Sequence, residues 1–169
     1  MYITGTYWEN YIGDTDDSLT LVEYLAGKRK EEISIQEIFS DFGLDRLQGE
    51  FREPEEPLVF VNDGGWEMEL HYAIVLITDL AALLLECKVS GGIAVRDLGV
   101  EEPDAPDVIH ITATPDEHTL IHKCLTEFVA APLTYDLSEM MPEEDMLEFA
   151  GICEKLRKEL YDCPNNSSK

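Results

Sequence analysis

Ala73-Ile74-Val75-Leu76-Ile77-Thr78-Asp79-Leu80-Ala81-Ala82-Leu83-Leu84-Leu85-Glu86-Cys87-Lys88 is the stretch that decides the fold. Leu, Ile, Val and Ala run through it without a turn residue, and they do not keep to one stripe. The spacing therefore predicts a helix that is apolar on most sides and must be surrounded by other elements. With Asp79 inside it, the run from Leu70 to Leu85 is too short and too interrupted to span a bilayer. Ser90-Gly91-Gly92 supplies the stop.

Upstream, Leu58-Val59-Phe60-Val61 reads as a strand. Asn62-Asp63-Gly64-Gly65 tolerates positive φ, and Trp66 to Tyr72 alternates apolar and polar residues, so the pair predicts a hairpin. Tyr2 to Glu9, rich in Tyr, Thr and Trp, is expected to be a first strand. Asp16-Asp17-Ser18 precedes Leu19, Leu21, Val22 and Leu25 at helical spacing, with Gly27 at the end. Ser34-Ile35-Gln36-Glu37 has capping-box spacing and opens a second helix that Gly43 closes. Leu47 to Pro57, charged and broken by prolines, is expected to be an exposed connection.

Downstream, Ile93 to Leu98 and Val108 to Ala113 are expected strands, separated by an acidic loop. Thr114-Pro115-Asp116-Glu117 starts a helix that Pro132 stops. Met141-Pro142-Glu143-Glu144 opens the last helix, whose apolar stripe is Met146, Phe149, Ala150, Cys153, Leu156 and Leu160. The expectation is about five strands and five helices: an α+β fold, helices packed on a mostly antiparallel or mixed sheet of about four to five strands. Residues 1–163 would form one globular domain and 164–169 a flexible C-terminal tail.

The surface is as informative as the core. Asp and Glu number 36 against 12 Lys and Arg, a net charge of −24, while 44% of the residues are hydrophobic. A chain this apolar folds, so the charge belongs to its surface. That field repels nucleic acid and anionic membrane and attracts a basic protein. The acids cluster: Asp14, Asp16 and Asp17; Glu53, Glu55 and Glu56; Glu101, Glu102, Asp104 and Asp107; and Glu139, Glu143, Glu144 and Asp145. Aromatic anchors stand beside some of them, Trp8 and Tyr11 near the first group and Trp66 near Asp63, Glu67 and Glu69. Rings supply area and carboxylates supply direction in an interface selecting Arg and Lys. The expected partner-binding set is Trp8, Tyr11, Asp14, Asp16, Asp17, Asp63, Trp66, Glu67 and Glu69.

Chemistry leaves fainter traces. His118 and His122 are spaced to share a metal on a helix, yet Thr119 stands where HExxH needs Glu. Glu67, Glu69 and His71 alternate to one side of a strand, as acid–base groups or as a solvated face would. The Asn62 to Gly65 turn lacks the lysine of a phosphate loop, and no GxSxG elbow occurs. No catalytic residue, metal or cofactor is expected. Cys87, Cys124 and Cys153 lie in apolar runs and read as reduced core thiols, leaving Cys163 as the reactive one. Met1 to Thr6 lacks the basic head and apolar stretch of a secretory signal, so a reducing cytoplasm is the expected location.

YWENYIGDTDDSLTLVEYL (Tyr7 to Leu25), VNDGGWEMELHYAIVLITDLAALLLECK (Val61 to Lys88) and PLTYDLSEMMPEEDMLEFAGICEKLRKEL (Pro132 to Leu160) resemble bacterial immunity proteins of polymorphic-toxin and contact-dependent inhibition systems. The resemblance implies a protein that binds a cognate toxin domain, commonly a basic nuclease, and blocks it. It carries over no contact residue, so the partner-binding set rests on the acidic and aromatic pattern alone. An acidic adaptor for a basic peptide and a metal-dependent hydrolase are the competing readings. An adaptor would lack a toxin gene beside its own, and a hydrolase would bind stoichiometric metal.

Overall fold

A computed structural model describes residues 1–9, 11–54, 58–62 and 64–162. The expected tail at 164–169, the thiol of Cys163, and Asp63, Glu55 and Glu56 lie outside the described residues.

Among the described residues the elements run α1 (Asp16–Gly27), β1 (Glu32–Ser34), α2 (Ile35–Phe42), β2 (Leu58–Val61), β3 (Glu67–Leu70), α3 (Ala73–Ser90), β4 (Ile93–Ala94), β5 (Val108–Thr112), α4 (Pro115–Ala130) and α5 (Glu143–Arg157). Short 3₁₀ turns join several of them, and a π turn at Lys158–Asp162 follows α5. The fold is α+β. Its strands form two small sheets instead of one: β1, β5 and β4 in that order, with β1 parallel and β4 antiparallel to β5, and a separate β2–β3 hairpin.

Helix α3 is the axis of the molecule. Every residue from Ala73 to Cys87 is buried, including Asp79 and Glu86, both fully inaccessible. These two acids lie seven positions apart and so share a helix face. Both clamp the N-terminal segment. Glu86 accepts from Ile3 N at 2.8 Å and Tyr2 N at 3.4 Å. Asp79 accepts from Gly13 N at 2.9 Å and Ser18 Oγ at 2.6 Å.

That clamp explains why Tyr2 to Glu9 is not the strand its composition suggests. The segment coils through a 3₁₀ turn at Ile3–Gly5, with Tyr7 N and Trp8 N both donating to Ile3 O. Its backbone donors are satisfied locally and by α3, which leaves none in register for a sheet. Gly13, at φ +76°, completes the coil, and a Cβ there would sit 2.3 Å from the Trp8 ring. The third strand of the larger sheet comes instead from β1, whose Ile33 pairs with Ile111. Ile93 to Leu98 is a strand only at Ile93–Ala94 before turning into a 3₁₀ helix.

The helix ends follow their local chemistry. Thr15 caps α1 by accepting from Ser18 N, one residue before the acids that open it. Thr114 and Glu117 form a reciprocal capping box on α4 with Pro115 at its first position. At α2 half of the expected box forms. Ser34 Oγ accepts from Glu37 N at 3.1 Å, while the Glu37 carboxylate turns to Lys28 and Lys30 at 2.8 and 2.9 Å. The α5 stripe from Met146 to Leu160 is buried throughout and packs on α4 and α3.

Candidate functional site: an acidic end with a hairpin beside it

Tyr11, His71 and Tyr72 mark where acids distant in sequence meet. The Tyr11 ring stacks on Phe149 of α5, centroids 5.7 Å apart, and its hydroxyl donates to Asp145 Oδ1 at 3.1 Å. Desolvation, that hydrogen bond and the charges of Asp145, Glu148 and Glu144 all raise its pKa. The first and fourth acidic groups of the sequence therefore do not stand alone: the loop carrying Asp14 is fastened to the first turn of α5. Phe149 continues through Phe128 to Tyr135, centroids 5.2 and 4.9 Å apart, so this contact is rooted in the core.

Asp17 makes the second junction. It is 3% exposed and accepts from His71 N at 2.8 Å and Tyr72 N at 3.1 Å, with Oδ1 3.0 Å from His71 Nδ1. One carboxylate thus ties the first turn of α1 to the residues just before α3. The hydrogen bond to Asp17 raises the His71 pKa against partial desolvation, with further support from the charges of Asp17, Glu69 and Asp16. Around Tyr72, burial first and then Asp136, Glu139 and Asp17 raise the phenol. Burial pushes Asp136 up to about 6, opposed by the Leu137 amide and reinforced by Glu53 and Glu139.

Of the expected partner-binding residues, Asp14, Asp16, Trp66, Glu67 and Glu69 are exposed and Tyr11 is half-buried at the surface. Trp66 is the most open large hydrophobic side chain among the described residues, at 74%. Trp8 is 7% exposed and packs over Gly13 as part of the core. Asp17 is a structural tie. Asp63 lies outside the described residues. Sequence could not separate Trp8 from Trp66, because both sit beside acids and only the chain path buries one.

The hairpin is held by a three-ring cluster: Phe60 lies 5.2 Å from Tyr24 of α1 and 5.0 Å from Phe42 of α2, and those two are 4.8 Å apart. Register pairs Phe60 with Met68 and Leu58 with Leu70 on that inner side, and Val61 with Glu67 and Val59 with Glu69 on the outer one. Glu67 and Glu69 do share a face, as alternation requires. His71 has left the strand for Asp17.

Several cations are paired with other carboxylates. Lys28 bridges Glu37 and Asp41 at 2.8 Å each, Arg52 approaches Glu50 and Glu127, Arg96 approaches Asp107, and Arg157 binds Glu154 at 2.8 Å. Among the described residues none of these pairs involves Asp14, Asp16, Glu67, Glu69, Glu139 or Glu143. Helix α5 is itself polarised, with Glu143, Glu144 and Asp145 in its first turn and Lys155 and Arg157 in its last.

The two helical histidines lie apart from this end. His118 Nδ1 is 2.9 Å from the Tyr161 hydroxyl, and His122 Nε2 is 3.0 Å from an Arg157 guanidinium nitrogen. Burial lowers the His118 pKa. Among the described residues no group of three His, Cys, Asp or Glu could hold a metal ion. Cys87, Cys124 and Cys153 are free and buried, with thiols raised by desolvation. No helix among the described residues is long and apolar enough to cross a membrane.

The scaffold is α+β, and of the expected contact residues it leaves Asp14, Asp16, Trp66, Glu67 and Glu69 exposed. The sequence model of one family, Immunity protein 68, matches residues 2–160, and the chain belongs to that family. Its members are immunity proteins, the binding and neutralising partners of cognate toxin proteins. No curated protein and no solved structure matches the chain.

Proposed function

We propose that the protein acts in the cytoplasm as the stoichiometric inhibitor of a basic nuclease toxin domain, laying its acidic end over the groove that would hold nucleic-acid phosphates. The observation that carries this reading is the convergence of Asp16, Glu69, Glu139 and Glu144 around Tyr11, His71 and Tyr72. A nuclease needs positive charge to grip its substrate. A complementary anionic surface competes for that charge and speeds encounter. Tyr11 and Trp66 supply the ring area that carboxylates lack, and Phe149 holds the first of them still.

Co-expression with the toxin domain encoded beside this gene tests the reading. The expected result is a co-purifying complex with nuclease activity abolished at equal molar amounts. Asp16→Lys combined with Glu69→Lys, both on exposed positions, should slow association by about tenfold or more at low salt. A wild-type protein that leaves the toxin active sinks the proposal, as does a doubly reversed variant that captures it just as fast.

A further inference from the structure

The β2–β3 hairpin is a sheet of two strands, so each strand has one edge without a strand beside it. Asn62 N donates to Trp66 O at 3.0 Å, which makes Asn62 and Trp66 a hydrogen-bonded rung. By antiparallel alternation the next such rungs are Phe60 with Met68 and Leu58 with Leu70. Val59 and Val61 then turn their N–H and C=O groups away from β3. Among the described residues no backbone or side-chain hydrogen bond outside the ladder reaches them.

Those groups border a groove of about 540 Å³ between α1 and β2. Val59, Phe60, Val61 and Asn62 all line it. Side chains of a strand alternate between faces, so consecutive residues share a cavity wall only where the strand presents its edge. Across from that edge stand Glu23 and Tyr24 of α1 and Asp41 of α2. Lys28, the cation in the lining, already spans Glu37 and Asp41, and Glu23 is exposed with no ion pair among the described residues. The groove thus combines unmet backbone donors and acceptors, an apolar floor at Phe60 and Met68, and negative charge on the far wall.

We propose that this groove receives an extended basic segment of the partner protein, which adds as a third strand beside β2 and sets an Arg or Lys against Glu23. Main-chain pairing supplies affinity in such an arrangement, and the side-chain contacts supply selection. Charge complementarity picks the occupant: an acidic segment would bring like charges to Glu23 and Asp41. The inference rests on the toxin-binding reading for the identity of the partner, but not for the chemistry of the groove.

The probe is a synthetic peptide, acetyl-Val-Arg-Val-Lys-Val-amide, titrated into ¹⁵N-labelled full-length protein beside an acidic control with Glu at both charged positions. Saturable amide shifts at Val59 and Val61, with slowed hydrogen exchange at both, are expected from the basic peptide alone. Val61→Pro removes an edge N–H that the hairpin does not use, a place where proline is tolerated, and should weaken binding about tenfold. Glu23→Lys, on an exposed helix face, should weaken it comparably without touching the hairpin. Equal binding of the acidic peptide, or no saturable shift at the two valines, overturns the proposal. Toxin inhibition that survives Glu23→Lys and Val61→Pro unchanged also overturns it while leaving neutralisation standing. If the wild type forms no toxin complex, neutralisation falls and the peptide titration still decides the groove.

Discussion

Asp79 shows how one residue of the central helix holds the segment that leads to the acidic end. Its carboxyl, fully buried, is pushed by desolvation and by Asp17 up to about 7, against the hydrogen bonds from Ser18 and Gly13. The Cys153 thiol shares this buried site. Because the folded value is raised, the native state holds its proton where the unfolded chain has released it. Stability therefore falls as pH rises from about 4, the unfolded carboxyl range, to about 7, where the loss is complete. Asp79→Asn removes this titration. Its stability relative to wild type should rise across that window and level off above it, by an amount on the order of a few kcal/mol. Urea unfolding at several pH values checks this, and parallel pH profiles for the two proteins would refute it. The sequence shows Asp79 as an interruption in an apolar run. That the interruption holds Gly13 and Ser18 is visible only once the chain has returned to the helix.

Elements were legible to the degree that their causes are local. Helices α1, α2, α4 and α5 carry caps, acids in the first turn or apolar stripes that act within a few residues, and each forms close to where those signals lie. The hairpin does too, since its turn and alternation are adjacent. Strand β1 is different. Glu32-Ile33-Ser34 alternates over only three residues, and it is a strand because β5, far along the chain, offers Ile111 and its neighbours as partners. Tyr2 to Glu9 fails in the opposite sense, with strand composition but backbone donors taken up by its own turn and by Glu86. At this scale the weight of α3 can be measured. Leu83→Ala, at a position with no exposure, should cost about 2 to 5 kcal/mol. Leu147→Ala on the open side of α5, 51% exposed, should cost within about 0.5 kcal/mol. Thermal and urea denaturation of the pair provide the comparison, and equal losses would remove α3 from its central place.

Across the whole molecule, the net charge is −24. If the acidic end steers association, raising ionic strength from about 0.05 to 0.5 M should slow binding of the toxin domain several-fold or more while changing dissociation far less. Stopped-flow association across a salt series measures this, and a rate indifferent to salt would remove the steering argument. Charge excess, an apolar core and a helix buried on all sides were determined by the sequence alone, because composition and short-range spacing act without knowledge of the path. Which acids meet was decided by tertiary structure. Asp16 and Glu69 come together around His71, Tyr11 reaches Asp145, and Trp8 is covered while Trp66 is left open, through contacts between residues remote along the chain. Such contacts depend on how α1, α3, α5 and the hairpin pack, and packing is a property of complementary surfaces that no single segment contains.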